Sequence, residues 1–154
     1  MSETNIDPGG QTQREATTAA IDAIVAHLLD QGRPSVNESG DCLYRGPDGL
    51  MCALGALISP SLYQPYMEGK GGLQVRGYLA PRFLGADSTI LLLMQCLHDD
   101  WASYLREPSE QRLRCLRNAI ASAEEDIQHR LPGYTCSRWD DLKAMLLATT
   151  PATA

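Results

Sequence analysis

The sequence predicts a mainly α-helical protein, with about four helices in one compact domain, a small β-hairpin near 42–53 and an irregular segment at 66–86. Apolar residues recur at intervals of three and four along separate stretches, which places them on one face of a helix. Glycine and proline concentrate between the first and second of these stretches, where they interrupt regular structure. The chain has 154 residues, enough for a single domain with a substantial core. We therefore expect one globular helical domain over 12–148.

The first helix follows a polar N-terminal tail, residues 1–11, which we expect to be disordered. Thr12 with Glu15 three residues later forms the pattern of a capping box. Gly32 has the place of a helix-ending glycine. His27 lies beside the apolar stripe, where a structural role at the polar edge is favoured over a functional one. The stripe consists of Ile21, Ile24, Val25, Leu28 and Leu29.

A turn with short flanks follows this helix. In the run Gly-Pro-Asp-Gly at 46–49, proline presets φ at the second position, and Asp and Gly tolerate the conformations that follow. Residues 42–45 and 50–53 have the length of hairpin strands, which predicts the small β-hairpin. Gly55 leaves room for close approach by a neighbouring backbone. Cys52 would begin a helical turn, where the positive end of the helix dipole favours a thiolate.

The segment 66–86 is rich in glycine and proline and is predicted to be mostly loop, with a short strand at 73–75. A loop this long in a compact domain is often functional, so we predict a contact surface at 68–82. Tyr44 and Arg45 project from the hairpin and form either a structural pair or part of a binding face. The candidate binding residues are Tyr44, Arg45, Asp48, Glu68, Lys70, Arg76 and Arg82.

Three further helices are predicted in the second half of the chain. The first is capped by Asp87 or Ser88, the second begins with Pro108 in its first turn, and the third closes the domain. Residues 149–154 are expected to fray. The apolar stripes are, in order, Ile90, Leu93, Met94, Leu97, Trp101 and Leu105; Leu113, Leu116, Ile120, Ala123 and Ile127; and Trp139, Leu142 and Leu146.

Three motifs follow one another through the middle of the chain. His27 opens a His-Leu-Leu-x-Gln-Gly segment, and Gln95 opens a later Gln-x-x-His-Asp helix. Between them, residues 42–58 have the pattern Cys-x-Tyr-Arg-Gly-x-x-Gly-Leu-x-Cys-Ala-x-Gly-x-Leu-Ile. In this order the motifs resemble those of small proteins of tailed bacteriophages and prophage regions that have no settled activity. The resemblance implies a phage or mobile-element accessory protein and carries no catalytic assignment.

Charge and cysteine usage limit the partners and the compartment. The net charge of −6 argues against a generic nucleic-acid binder, which needs a basic stripe to neutralise phosphates, and is compatible with docking on a basic surface. The five cysteines and the polar first residues fit a reducing cytoplasm better than a disulfide framework. We expect a cytoplasmic protein in a bacterial host cell that binds neither membrane nor nucleic acid directly.

Cysteine, histidine and carboxylate together permit two chemical hypotheses. In one, Cys52 is a nucleophile, His98 is its base, and Asp99 or Asp100 orients the imidazole. In the other, Cys42, Cys52 and His98 bind zinc, with or without Cys96 as a further ligand. The alternative to both is structural, with buried apolar cysteines and a His98 that hydrogen-bonds from a helix edge to a nearby loop.

The sequence favours binding over chemistry. From the resemblance we expect a phage accessory protein that needs no cofactor and binds a host or defence-system protein. It would inhibit a bacterial defence system, as an anti-CRISPR-like protein does, or another host process. Docking would use an acidic surface and the loop at 68–82. A cysteine-dependent enzyme and a zinc-stabilised structural module remain the alternatives.

Overall fold

The computed structural model describes residues 12–148, which are mainly helical, as the sequence predicts. They contain five α-helices and no strand: α1 Gln13–Gln31, α2 Gly72–Val75, α3 Ser88–Arg106, α4 Glu110–Arg130 and α5 Trp139–Ala148. The sequence predicts about four helices; the additional one is α2, which is a single turn. The predicted disordered tail at 1–11 and the predicted fraying at 149–154 lie outside the described residues.

Helix α1 begins and ends where the sequence places its boundaries. The Thr12 hydroxyl oxygen accepts the Glu15 N–H at 3.0 Å, and Gly32 has the left-handed φ of 71° that ends a helix. His27 lies on the edge of the helix, with its Nε2 atom 2.9 Å from the Met51 carbonyl oxygen. This contact to a loop backbone is the structural role that the sequence favoured for His27.

Asp87 joins three helices at the start of α3. Its carboxylate accepts the Ile90 N–H at 3.1 Å, which is the predicted cap, and its other oxygen lies 3.3 Å from Arg130 of α4. The Asp87 N–H also donates to the Thr17 hydroxyl of α1 at 2.8 Å. The next helix differs from the prediction, because Ser109 caps it and Pro108 lies just before that cap.

Helix α3 is the centre of the core. Its most extensive contact is with α4, and α1 packs against both α3 and α5. Trp101, Met94 and Leu97 of α3 are completely buried, which confirms the central buried helix that the stripe predicts. Within residues 12–148, no helix has the length and apolarity required to cross a membrane.

The predicted β-hairpin at 42–53 is wrong, although the turn at its centre forms. Asp48 and Gly49 have the positive φ values of 59° and 76° that a tight turn here requires. No ladder extends from this turn, and the described part of the chain contains only isolated β-bridges. One of these bridges pairs Cys42 with Val36, on the side away from the turn.

The backbone groups that a hairpin would pair are bonded elsewhere. The N–H groups of Tyr44 and Arg45 donate to the Glu68 carboxylate at 2.8 and 3.0 Å. On the other flank, the Met51 N–H donates to the Gln31 side-chain oxygen at 2.8 Å. Because these partners are distant in sequence, the local turn pattern cannot reveal them.

The segment 66–86 consists largely of short helical turns, and the predicted strand at 73–75 is wrong. Those residues belong to α2, where the Gln74 side-chain oxygen accepts the Gly71 N–H at 3.0 Å and stabilises the turn. The segment packs against the core through buried apolar side chains. These are Met67, Val75, Leu79 and Phe83.

Candidate functional site

A cluster of thiol, imidazole, amide and carboxylate groups lies between α3 and the loop at 35–52. Gln95, His98 and Asp99 project from one side of α3, since residues three and four apart on a helix are neighbours. Cys42 meets them from the loop, and one ligand atom each from Cys42, His98 and Asp99 lie within 4.8 Å of one another. We call Cys42, Gln95, His98 and Asp99 the α3 cluster.

Both ring nitrogens of His98 have partners, and its side chain is completely buried. The Ser35 backbone N–H donates to Nε2 at 3.0 Å. This nitrogen must therefore carry a lone pair, and the proton of the neutral ring lies on Nδ1. Nδ1 is 3.0 Å from the Asp99 carboxylate and 4.0 Å from Cys42 Sγ. His98 thus joins α3 to the loop, as the structural interpretation of its sequence position expects.

Opposing effects act on the protonation of His98. Burial lowers its pKa, while the hydrogen bonds with Asp99 and Cys42 raise it, to about 8. The Ser35 N–H opposes protonation of His98, because the added proton would lie on Nε2 and point at the Ser35 N–H. In both protonation states compatible with the Asp99 hydrogen bond, Nδ1 holds a proton.

The cysteine that the structure places beside His98 is not the predicted nucleophile. Cys42, not Cys52, is the cysteine beside His98, and the nitrogen that faces it already carries a proton. The neighbouring Cys52 thiol and burial raise the pKa of the Cys42 thiol more than His98 lowers it, which disfavours the thiolate. Cys52 itself is completely buried. Of the two carboxylates that the sequence left open, Asp99 is the one that contacts the imidazole.

A zinc ion has suitable ligand types in the cluster but the wrong histidine environment. Thiolate, imidazole and carboxylate are all zinc ligands. Zinc bound at Nδ1 of His98 would move the ring proton to Nε2, where it would meet the Ser35 N–H. Zinc-binding histidines instead donate their second N–H to an acceptor. Cys96, the further ligand considered from the sequence, is exposed and outside the group of close ligand atoms.

Two residues of this region were not predicted as site residues. Gln95 donates to Cys42 Sγ and to the Asp99 carboxylate, both at 3.0 Å. Its spacing from His98 and Asp99 within the Gln-x-x-His-Asp motif could have indicated a shared helix face. Ser35 acts through its backbone amide, for which a sequence pattern carries no signal.

Glu68, Arg45 and Tyr44, three of the predicted binding residues, lie in an internal network. The Glu68 carboxylate accepts the Tyr63 hydroxyl at 2.7 Å in addition to the Tyr44 and Arg45 amides. The Arg45 guanidinium donates to the Ile58 carbonyl oxygen at 2.8 Å and lies over the Tyr63 ring. The Tyr44 hydroxyl donates to the Lys70 carbonyl oxygen. These contacts hold the turn at 46–49 against the segment 59–82.

The other predicted binding residues are exposed. Asp48 forms a surface ion pair with Arg33 at 3.5 Å. Lys70 and Arg82 present their charges to solvent, with the Arg82 guanidinium 4.5 Å from the Phe83 ring centroid. Arg76 donates to the Ser88 hydroxyl at 3.2 Å and is also exposed.

Exposed apolar side chains concentrate near these basic residues. Leu62, Tyr66 and Leu73 are 45%, 61% and 52% exposed. The only other large apolar residue exposed to this degree within 12–148 is Leu147 of α5, at 41%. We call residues 59–82, which contain the first three, the contact segment.

A cleft of about 280 Å³ lies between α4 and α5. Its charged groups pair with one another: Lys143 lies 2.6 Å from the Glu124 carboxylate, and the Trp139 indole N–H donates to the same carboxylate at 3.0 Å.

No protein-family model matches the chain, and neither a curated protein nor a solved structure matches it.

Proposed function

We propose that the protein is a phage or mobile-element accessory protein that binds a host or defence-system protein through the contact segment. The observation that carries this proposal is the exposure of Leu62, Tyr66 and Leu73 in one short stretch of chain. Isolated exposed apolar residues are ordinary, but a concentration of them marks an interaction surface. Aromatic residues and arginine are also enriched at protein interfaces.

The charge of the contact segment supports a protein partner with acidic groups. Lys70, Arg76 and Arg82 are exposed, whereas the acidic Glu68 is bonded to backbone amides inside the molecule. The segment is therefore locally basic in a chain of net charge −6, in contrast to the acidic docking surface that the net charge led us to expect. Complementary charge would orient the partner, and apolar contacts would supply most of the affinity.

The internal bonding of the α3 cluster favours binding over catalysis. Both ring nitrogens of His98 are engaged by Ser35 and Asp99, and Cys52 is completely buried. A cysteine enzyme requires a base within reach of an accessible thiol.

Photo-crosslinking in bacterial cells tests the binding proposal. A photoreactive phenylalanine analogue would replace Tyr66 of the contact segment or, as a matched control, Leu147 of α5. We expect a discrete crosslinked protein from position 66 that is absent from position 147, and a Leu73→Ser substitution should weaken it. Equal crosslinking from both positions, or crosslinks to nucleic acid alone, would contradict the proposal.

Phage plating tests the proposed inhibition of host defence. Expression of the chain should restore plaques of a phage that is targeted by a CRISPR system of the host. The variant Tyr66→Ala/Leu73→Ser should lose this effect, while Leu147→Ser should keep it. If the wild-type chain restores no plaques, binding would serve another host process.

A further inference from the structure

The side chain of Gln95 connects the two loop positions that carry Cys42 and Cys52. Its N–H donates to Cys42 Sγ at 3.0 Å, and its oxygen accepts the N–H of Leu54 at 3.0 Å. Leu54 is two residues after Cys52. The Gln95 side chain therefore holds together the two parts of the loop that carry the thiols. This anchoring does not depend on the turn between them.

The two thiols lie in the same region of the loop, and the Cys52 thiol raises the pKa of Cys42. Cys52 Sγ accepts the Gly55 N–H at 3.3 Å, which fixes the orientation of its side chain. Cys42 is partly exposed and Cys52 is completely buried, so Cys42 is the more accessible residue of the pair.

We propose that Cys42 and Cys52 form a reversible disulfide by exchange with a low-molecular-weight disulfide such as oxidised glutathione. Cys42 is the attacking residue and Cys52 the resolving residue. This inference concerns a modification site and does not rest on the proposed function.

The exchange proceeds in two balanced steps. The Cys42 thiol loses its proton to water, its sulfur attacks one sulfur of glutathione disulfide, and the first glutathione thiolate leaves and is protonated. Cys52 then loses its proton and attacks Cys42 Sγ in the mixed disulfide, which releases the second glutathione thiol. Both protein thiols are oxidised, and one glutathione disulfide is reduced to two glutathione molecules.

The surroundings predict slow exchange and a stable product. The neighbouring Cys52 thiol and burial raise the pKa of Cys42, so the thiolate that attacks is scarce at neutral pH. The disulfide would close the loop that contains Tyr44 and Arg45 and would restrict the unfolded chain. The oxidised protein should therefore have a higher melting temperature than the reduced protein.

Mass spectrometry in glutathione redox buffers tests the proposal. The full-length protein with Cys96→Ser and Cys115→Ser, which removes the exposed thiols, would be equilibrated, quenched with acid and alkylated. We expect an oxidised species that has lost two hydrogen atoms, takes up two fewer alkyl groups and yields a 42–52 linked peptide. Dithiothreitol should reverse it.

Two variants separate the roles of the thiols. Cys52→Ser should stop at a glutathione adduct on Cys42, and Cys42→Ser should leave Cys52 reduced. Circular dichroism and the melting temperature would verify that each variant folds, with Cys52→Ala as a second choice. A wild-type pair that stays reduced, or stops at the mixed disulfide as the Cys52→Ser variant does, would overturn the proposal. Stoichiometric zinc bound by both thiols would also overturn it.

Discussion

Glu68 shows how a residue that looks like a binding group from the sequence can be structural. It lies in a glycine-rich loop, where a carboxylate is usually solvated. In the structure it accepts hydrogen bonds from two backbone amides and from the Tyr63 hydroxyl. Carboxylates that accept several such bonds stabilise a loop, because each donor would otherwise lack a partner on burial.

Replacement of Glu68 measures this role. Glu68→Ala should lower the free energy of unfolding by about 2–4 kcal/mol, because it leaves partly buried donors without an acceptor. Glu68→Gln, which keeps one acceptor oxygen, should cost less. Urea denaturation followed by circular dichroism gives both values. The exposed Glu125→Ala on α4 is the control and should change little; an equally small effect at Glu68 would mean that the network contributes nothing.

At the scale of elements, the loop at 42–58 folds back on itself at Gly55. A Cβ at Gly55 would lie 2.8 Å from the Tyr44 carbonyl carbon and closer still to its oxygen. The prediction that Gly55 permits close backbone approach is therefore confirmed, and the neighbouring element is the loop itself. This crossing brings the backbone around Cys42 next to the backbone after Cys52.

A methyl group at this crossing should separate the two backbones. Gly55→Ala should destabilise the fold by about 1–3 kcal/mol or more, the usual cost of overpacking, because the obstructing atoms are backbone and cannot rotate away. Gly77→Ala is the matched control, since nothing lies within 4 Å of a Cβ there. Thermal unfolding would compare the two variants. Equal melting temperatures would show that the loop can open at Gly55 without cost.

At the scale of the whole molecule, stability depends on the packing of α3 against α4. This is the largest contact between two elements within residues 12–148. Leu116 of α4 is completely buried, while its neighbour Cys115 is exposed. The helices therefore form the frame, and the loop and contact segment are held on that frame by side-chain hydrogen bonds.

Truncation at adjacent positions of α4 tests this division. Leu116→Ala should lower the free energy of unfolding by about 2–5 kcal/mol, because it removes buried methyl groups and leaves a cavity. Cys115→Ala, at an exposed position, should change it by less than about 0.5 kcal/mol. Urea unfolding curves give both numbers. Similar values for the two variants would contradict the assigned packing of α4.

The sequence alone determined the helical frame. The stripes, the Thr12 cap, the Asp87 cap and the Gly32 terminus were all predictable, because helix formation depends on residues within a few positions of one another. The turn at 46–49 was predictable for the same reason. The presence of cysteine, histidine and carboxylate as candidate chemical groups could also be read from the chain.

Only the tertiary structure decided what these groups do. The hairpin failed because Glu68 and Gln31 take the amides that a ladder needs, and His98 is occupied by Ser35, which lies 63 positions away in sequence. The packing of the loop on α3 also places Cys42, and not the predicted Cys52, beside His98. A hydrogen bond between distant residues depends on how the whole chain packs, and no local periodicity records it.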